Sequence, residues 1–486
     1  MNILDQQGLI LLLAVFAAIM LGVTWLFGRG TGTPSVDGFI LANRNVPWWL
    51  GGPSVAASWT WAIALMVSVQ LAYENGFAGA FWFTAPNIAA VLIFIWLAPK
   101  LRAVLPEGYS LPEWMYHRTR SGQVVGIYLL VFAFYQVMAV TVQIYAGSHL
   151  LSAATGASVY MLMPVLLGIT LAYTLISGLR ASVVTDILQL AVLLLIGGAT
   201  VWFVLSADGS TLSFSGVSGA GGVSTFEVSF MLTTGVITSI GLLSGAIGDQ
   251  QLWQRALALR TRHVKAGFLF GALLFAVVPI GLSFIGFAGA GMGDALVFPA
   301  GVDSGLAGFV IVQQVAPMAI VIAFLLMILA GLSSTLDSGL MAWVSLTSLI
   351  RKRPWQTNRR ENDHSLSVGA SRLQMAFVAA IGLALAYAAE LIPGFGLKYL
   401  WWFMNTMGAS IAIPTLLSLT WPGLTAKGVV VGSLINLVIG LPVVAFASAT
   451  GNNPLLASAY VGILLVSSVS CFVFRGRTDS IQPAAS

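Results

Sequence analysis

Long apolar runs separated by short polar segments make up most of the chain. A helix needs about 20 residues to cross roughly 30 Å of hydrocarbon. Thirteen runs reach about that length, near residues 8–28, 47–73, 78–99, 122–152, 157–177, 182–206, 226–248, 266–291, 308–349, 373–392, 399–421, 428–449 and 455–474. We therefore predict an all-α polytopic membrane protein with about 13 transmembrane helices.

The run 308–349 contains a stripe of small and polar residues. They recur at i, i+3, i+4, i+7 and i+8, which places them on one face of a helix: Ala330, Ser333, Ser334, Asp337 and Ser338. Facing lipid would cost a carboxylate and three hydroxyls several kcal/mol, so the stripe faces protein, water or an ion. Hydrogen bonding between helices explains small polar residues. Packing serines do not need an acid beside them, however, so an ion site is the favoured interpretation.

The run 47–73 is interrupted halfway by residues 58–61, with the sequence Ser-Trp-Thr-Trp. Glycine, proline and paired tryptophans at that depth indicate a helix that is unwound in the middle. Such backbone is tolerated only where it lines a cavity. The alternative is a continuous helix that begins at a proline and places its tryptophans at the membrane interface.

Two acidic residues lie at the ends of other runs. Asp186 enters the run 182–206, and Arg180 lies almost two turns away, so we expect a cation or a proton as its partner. Asp249 directly follows the run 226–248. It marks either a polar break in an apolar helix or an ordinary inner loop in which Asp249 caps a short helix.

Composition and charge agree with a membrane protein. The 486 residues are 58% hydrophobic and 8% charged, and the mean hydropathy of +0.93 requires no soluble domain. With the amino terminus outside, 20 of the 21 Lys and Arg residues are cytoplasmic and only Lys398 is external, as the positive-inside rule expects. The net charge of +5 therefore calls for no nucleic acid or acidic partner. The single cysteine, Cys471, excludes an internal disulfide and a multi-cysteine metal site.

The order of the runs predicts an internal symmetry. Runs two to six and seven to eleven form blocks of five helices that start on opposite sides of the membrane, which relates them by inversion. Each block begins with a glycine- and serine-rich helix, a pattern typical of transporters with discontinuous helices and a midplane site. The predicted division is an extra N-terminal span and cytoplasmic loop (1–46), a first repeat (47–206), an external loop (207–225), a second repeat (226–421), and two C-terminal spans with a short cytoplasmic tail (422–486).

Three spaced motifs resemble those of the sodium:solute symporter family. They are Gly178-Leu179-Arg180-Ala181 followed by Thr185-Asp186 and Gln189, then Asp249-Gln250 followed by Trp253-Gln254-Arg255, and Ala330 followed by Ser333-Ser334. A further stretch is similar to the urea-active-transporter branch of that family: Ala56–Ala62, then Tyr73, Gly76 and Gly79–Phe83. The family resemblance covers nearly the whole chain, and the branch resemblance covers mainly residues 54–150.

The resemblance implies a leucine-transporter-type fold, a 5+5 inverted repeat with discontinuous helices. It also implies a sodium site between the first and eighth core helices, whose ligands are backbone carbonyls of Ala56, Trp59 and Ala330 and hydroxyls of Ser333 and Ser334. Some members bind another sodium beside it, and the corresponding second sodium or proton site here contains Ser334, Asp186, Asp337 and Ser338. Asp337 departs from the serine-like residue of that pattern. Two carboxylates at one site either hold a cation tightly or share a proton.

The resemblance places the substrate between the broken helices, near Ser58, Thr60, Trp61, Trp82, Gln136 and Ser244. A small neutral solute such as urea presents donors and acceptors on a flat frame. Tryptophan faces and a few amide or hydroxyl groups suit it, whereas a sugar needs more hydrogen-bonding side chains. We expect no Arg or Lys in this pocket, which argues against a substrate held through its carboxylate.

We therefore predict a secondary active symporter, not an enzyme, that uses Na+ as coupling ion to import a small polar solute, with urea favoured. Alternatives are proton coupling or another substrate, such as an amino acid, pantothenate or an amine. A passive channel and an intramembrane aspartyl protease are distant alternatives. Against the protease, neither Asp186 nor Asp337 has the Gly-x-Gly-Asp context of such enzymes. The expected location is a cell membrane, a bacterial inner membrane, with the N-terminus outside and the C-terminus cytoplasmic. The expected partners are the solute and membrane lipid, with no nucleic acid and no obligate protein partner.

Overall fold

The computed structural model describes residues 4–28, 35–207, 214–299, 302–352, 367–392 and 397–476. Within these ranges the chain is helical, without a strand. Five of the basic residues on which the predicted orientation depends lie outside the described residues: Arg29, Arg353, Arg359, Arg360 and Arg477.

The first half of the chain contains helices α1 to α9. They are α1 (Gln6–Gly28), α2 (Val36–Leu41), α3 (Trp48–Trp59), α4 (Ala62–Leu92), α5 (Phe94–Val104), α6 (Leu111–Thr119), α7 (Gly122–Thr155), α8 (Val159–Ser206) and α9 (Phe214–Ser218). The second half contains α10 (Val228–Phe230), α11 (Val236–Gly248), α12 (Gln250–Ala258), α13 (Val264–Gly291), α14 (Ala307–Val315), α15 (Met318–Lys352), α16 (Val368–Glu390), α17 (Leu397–Thr420), α18 (Ala426–Ile435), α19 (Leu441–Ala449) and α20 (Asn453–Val473). Two π-helical turns, Met231–Gly235 and Asn436–Gly440, join α10 to α11 and α18 to α19.

Eleven helices of the described ranges are long and apolar enough to cross a membrane. The count differs from the thirteen predicted runs partly because one of the eleven, the 43-residue segment Ala62–Val104, holds parts of two runs on either side of Gly76. The run 399–421 forms α17, which is outside the eleven. Each of the thirteen predicted runs nevertheless corresponds to helical structure, so the predicted all-α polytopic class is confirmed.

Two glycines reverse the chain inside helices α4 and α8. Gly76 has φ +58° and ψ −143°, and Gly178 has φ +68° and ψ −164°. Only glycine adopts such backbone angles readily. A β-carbon at Gly76 would lie 2.2 Å from the carbonyl oxygen of Val217, and one at Gly178 would lie 2.6 Å from that of Phe39. Glycine is therefore required at both turns, where one crossing ends and the next begins.

The outer surface of the bundle is apolar and its interior holds polar groups. Leu195, Trp202 and Val438 are 70% exposed or more, and each lies on a long apolar helix. Acids such as Asp186 and amides such as Gln136 are completely buried. This inverted distribution suits a protein whose solvent is lipid, because buried polar groups need partners that hydrocarbon does not supply.

Two interruptions separate helices that contribute to the site. Helix α3 ends at Trp59 and α4 begins at Ala62, so the predicted break in the run 47–73 is present. Asp249 separates α11 from α12, and its side chain accepts from the backbone N–H of Gln251. The capping role considered for Asp249 is thus present as well.

The run 308–349 forms two helices. It divides into α14 and α15 at Ala316 and Pro317. Ala316 is extended, with φ −101° and ψ 151°. A residue that precedes proline is disfavoured in the helical region, and proline itself lacks the N–H that a helix interior requires. The polar stripe lies wholly within α15, so the division leaves it intact.

The packing of the helices brings the broken segments together. Helix α15 packs against α7, α8, α3 and α12, while α11 packs against α4 and α17. Helix α13 supports α3 and α4 from the other side. The α3–α4 break, the α11–α12 break and the stripe of α15 consequently meet in the interior of the bundle.

Candidate functional site

Side chains from other helices satisfy the backbone at the α3–α4 break. The N–H of Ala62, the first residue of α4, donates to Oε1 of Gln143 on α7 at 2.9 Å. The carbonyl of Thr60 accepts from Oγ1 of Thr335 on α15 at 3.1 Å. Because buried backbone groups need partners, these two bonds stabilise the unwound conformation and connect it to α7 and α15.

Two of the three hydroxyl residues predicted near the substrate donate to backbone carbonyls of α3. Ser58 Oγ donates to the carbonyl of Ser54 at 2.6 Å, and Thr60 Oγ1 donates to that of Ala56 at 2.7 Å. A hydroxyl has one hydrogen to donate and two lone pairs. Both oxygens have therefore used their hydrogen, and they act towards a ligand as acceptors.

A narrow aromatic cavity of about 20 Å³ lies beside the α3–α4 break. Its lining consists of Trp59, Trp61, Ile63, Ala64, Phe83, Asn87, Tyr135, Leu242, Trp401, Met404 and Asn405. The rings of Trp61 and Tyr135 pack edge to face with centroids 5.7 Å apart. None of these lining residues is charged, and the cavity has room for about one water molecule in this conformation.

Three N–H donors of the cavity-lining residues are buried without a hydrogen-bond partner. They are Nε1 of Trp59, Nε1 of Trp61 and Nδ2 of Asn405. Native proteins leave few buried donors unpaired, and each one costs about 1–3 kcal/mol. A ligand that offers acceptor oxygen atoms would recover this free energy.

Glycines on α11 make room for the polar groups of the cavity. A β-carbon at Gly245 would lie 2.5 Å from Oδ1 of Asn405 and 2.7 Å from the hydroxyl oxygen of Tyr135. At Gly241, the corresponding distance to Nδ2 of Asn405 is 3.3 Å. The glycine-rich character of this helix therefore allows α7 and α17 to approach it closely.

The other residues predicted near the substrate lie outside this lining. Trp82 donates from Nε1 to the carbonyl of Thr225 in the loop before α10, at 2.7 Å. Gln136 donates from Nε2 to Oδ1 of Asp249 at 3.2 Å. Ser244 is buried on α11, where its backbone approaches α17 near Gly408. Of the six predicted residues, only Trp61 lines the aromatic cavity, and the roles of the other five stay predictions.

Each of the predicted sodium ligands is buried in the interior. Ala56, Trp59, Ala330, Ser333 and Ser334 are each at most 5% exposed, so the serines do not face lipid. Ser333 Oγ donates to the carbonyl of Ala330 at 3.0 Å, and its own carbonyl accepts from the hydroxyl of a tyrosine on α8 at 3.1 Å.

Gln189 of α8 reaches the same serine. Its Nε2 donates to Ser333 Oγ at 2.9 Å, while its Oε1 is buried without a partner. Because hard cations bind oxygen atoms, a cation beside this Oε1 would supply the partner that the oxygen lacks. Gln189 is absent from the predicted ligand set, although it belongs to the first of the three sequence motifs.

The second predicted ion site contains a cation that belongs to the protein. Arg255 of α12 donates from Nη2 to Oδ2 of Asp186 at 3.3 Å and to Ser338 Oγ at 2.6 Å. Ser54 and Ser334 also donate to the carboxylate of Asp186, at 2.5 and 2.6 Å. From the sequence, Arg255 was expected in a cytoplasmic loop, and a cation or a proton was expected as the partner of Asp186. That expectation overlooked α12, which carries the guanidinium into the bundle.

Asp337 lies on the other side of this ion pair. It accepts from Ser182 at 3.0 Å and from Ser338 at 3.2 Å. The hydroxyl of Ser338 thus links the guanidinium to a second carboxylate. The two acids outnumber the single base, so the group of Asp186, Asp337 and Arg255 carries one negative charge when all three are ionised.

Comparison with known proteins shows the family of this chain. The family model for "Sodium:solute symporter family" matches residues 39–436. The chain belongs to this family. The match includes both broken helices and the polar stripe, and the members of this family are transporters. The protein is therefore a multi-pass membrane transporter and not an enzyme, and the protease alternative is excluded.

Individual relatives and a solved structure refine this placement. The chain is 26% identical to "Probable urea active transporter 1" of Schizosaccharomyces pombe, over 92% of this chain and 73% of the relative. It is 24% identical to "Urea-proton symporter DUR3" of Oryza sativa subsp. japonica, over 95% and 70%. The solved structure of a Na+-coupled sialic acid symporter, in a substrate-bound outward-open state, superimposes with a TM-score of 0.76, 18% identity and coverage of 96% and 98%. The chain described here thus has the leucine-transporter-type fold predicted above.

Proposed function

We propose that this sodium:solute symporter imports urea, or a small neutral amide of similar shape, together with sodium by alternating access. The observation that carries the proposal is the set of three unpaired N–H donors around one small uncharged aromatic cavity, from Trp59, Trp61 and Asn405. A carbonyl oxygen supplies the acceptor that these donors lack. The names of the two curated relatives described above also support urea as the solute.

The shape and charge of the cavity support a flat neutral solute. Urea is planar and can lie flat against the face of one aromatic ring, such as that of Trp61. No lining residue is charged, so a substrate carboxylate or ammonium group would lack a countercharge. An amino acid would have to leave two charges unpaired in a low-dielectric site, at a cost of several kcal/mol.

Sodium is the proposed coupling ion, with ligands from Ala56, Trp59, Ala330, Ser333 and Ser334. The unpaired Oε1 of Gln189 beside Ser333 adds a sixth oxygen from the neighbouring helix. Such a site connects the broken helix α3 with α15, so that binding of the ion favours one arrangement of the two. One sodium that enters down the membrane potential supplies about 2.3 kcal/mol per 100 mV. This is sufficient to drive uptake of a neutral molecule against its gradient.

The second predicted ion site requires a different role. Because Arg255 already binds Asp186 and Ser338, we propose one sodium at Ser333 and a resident guanidinium at the second position. A further sodium at Asp186, Asp337 and Ser338 would have to displace Arg255. Proton coupling is the second candidate, supported by the word "proton" in the name of the rice relative.

The decisive experiment is uptake of labelled urea by purified protein in liposomes, with external sodium present or replaced by choline. We expect uptake only with sodium, saturation with urea, and competition by close amides but not by amino acids. Unchanged uptake in choline would contradict sodium coupling. Failure of excess urea to compete with its labelled form would contradict a binding site and indicate a channel.

Two variants locate the sites. Asn405→Leu removes one donor, and we expect the urea concentration for half-maximal uptake to rise roughly tenfold, about 1.4 kcal/mol. Ser333→Ala should instead raise the sodium concentration required. Ser283→Ala is the matched control, because Ser283 is a buried helical serine on α13 that donates only to the carbonyl four residues earlier. Equal behaviour of Ser333→Ala and Ser283→Ala would contradict the sodium site.

A further inference from the structure

A cluster of buried polar atoms without partners lies at the junction of α11 and α12. Asp249, Gln136 and Gln251 are all completely buried. Asp249 Oδ1 accepts from Nε2 of Gln136 at 3.2 Å and from the backbone N–H of Gln251 at 2.9 Å. The remaining oxygens, Oδ2 of Asp249 and Oε1 of both glutamines, have no donor, and Nε2 of Gln251 has no acceptor. Acceptors therefore exceed donors in this cluster.

Asp249 has no ion-pair partner of its own among the described residues. None of the ion pairs formed by the described residues involves Asp249, and Arg255, the basic residue of the same short helix, binds Asp186 instead. The titratable and charged groups on the surrounding helices are Tyr135 of α7, Arg255 of α12, Asp337 of α15, Asp186 of α8 and Tyr460 of α20. All but Arg255 are acids or phenols, so none of the others can act as its counterion.

Close packing around the cluster restricts what can bind there. A β-carbon at Gly339 of α15 would lie 2.9 Å from the β-carbon of Ala139, and one at Gly248 would lie 3.0 Å from the α-carbon of Gly408. Asp249 is also absent from the lining of the aromatic cavity, although its neighbour Tyr135 belongs to it. A proton fits such a site better than a solute or a hydrated cation does, because it needs no additional volume.

We propose that Asp249 is a proton-binding site and that proton release from it accompanies opening of the α11–α12 junction. The protonated carboxyl donates from Oδ2 to an amide oxygen of Gln136 or Gln251, which corrects the excess of acceptors. The ionised carboxylate, without an ion-pair partner, is tolerated only where water reaches it. Protonation consequently stabilises the closed junction, and the proton leaves to water when the junction opens.

The consequence for transport rests on the proposed transport activity. If α11 and α12 separate during each cycle, Asp249 takes up a proton in one state and releases it in another. Uptake then depends on external pH even when sodium and urea are both saturating. Asp249 is a separate position from the predicted sodium ligands, so the site can be tested without removing sodium.

The first test is spectroscopic and does not require transport. Infrared difference spectra of the purified full-length protein, recorded between acid and alkaline solution, should contain a carboxyl C=O band that Asp249→Asn abolishes. Asp294→Asn, at an exposed acid outside the long helices, is the matched control and should retain the band. Asp249→Glu should shift the band without abolishing it. A wild-type spectrum without such a band, or a band that persists in Asp249→Asn, would overturn the proposal.

The second test measures urea uptake into liposomes at a saturating inward sodium gradient while the external pH is varied. At saturating urea, the uptake rate of the wild type should change by up to roughly tenfold per pH unit, and Asp249→Asn should lose this dependence. An identical pH profile in both proteins would overturn the proposal. If the wild-type protein transports nothing, the proposed function fails, while the infrared band still decides whether Asp249 binds a proton.

Discussion

The buried ion pair between Arg255 and Asp186 allows a sharp test of the interior electrostatics. Replacing Arg255 with methionine keeps most of the side-chain volume but leaves the carboxylate of Asp186 without its base. Removal of one partner from a buried pair costs about 3–5 kcal/mol, because the remaining charge is not compensated. We therefore expect Arg255→Met to lower the free energy of unfolding by about that amount.

The second carboxylate makes the effects of the two partners unequal. In Asp186→Asn, the guanidinium of Arg255 still binds Ser338, whose hydroxyl contacts Asp337. In Arg255→Met, both acids lose their nearest base. We expect the arginine variant to be the less stable of the two. The double variant should be more stable than the sum of the single effects predicts, with a coupling energy of about 2 kcal/mol, within the range for contacting residues.

The assay is reversible unfolding of the purified protein in mixed micelles, titrated with a denaturing detergent and followed by tryptophan fluorescence. Arg262→Met, at an exposed arginine before α13, is the control and should stay within about 0.5 kcal/mol of wild type. Additive single effects would refute the reasoning. A cost for Arg255→Met no larger than that of the control would refute it as well.

Three further changes test the backbone and the cavity. Gly178→Ala forces an unfavourable backbone angle and should lower the free energy of unfolding by about 1–3 kcal/mol. The control Gly198→Ala, with open space around its β-carbon, should not destabilise the protein. Equal stability of the two variants would contradict the requirement for glycine at position 178. Gly245→Ala places a methyl group 2.5 Å from Oδ1 of Asn405, so urea uptake should fall sharply. A thermal unfolding curve should show that the variant is still folded. Normal uptake would show that the contact between α11 and Asn405 is not part of the binding site. Thr335→Val removes the hydroxyl that donates to the carbonyl of Thr60 at the α3–α4 break. It should lower the free energy of unfolding by about 1 kcal/mol, measured in the same detergent titration. An unchanged free energy would mean that other contacts stabilise the break.

The pattern of residues was sufficient for the helical class, the buried stripe and the position of the α3–α4 break. Lipid allows few solutions for the backbone, because every buried N–H and C=O needs a partner within the protein. A long apolar run must therefore be helical, and a polar stripe on it must face inward. These inferences depend on local spacing alone, so the sequence is sufficient to predict that Ser333 and Ser334 face the interior.

Only the tertiary structure decided which polar groups meet. Arg255 and Asp186 are 69 residues apart in sequence, and no local pattern indicates that a residue of an apparent cytoplasmic loop enters the bundle. Asn405 and Tyr135 reach the cavity because glycines on a third helix let α7 and α17 approach, while Trp82 turns towards the loop before α10. Contacts of this kind depend on how helices pack and which rotamers then fit, and both are properties of the assembled bundle.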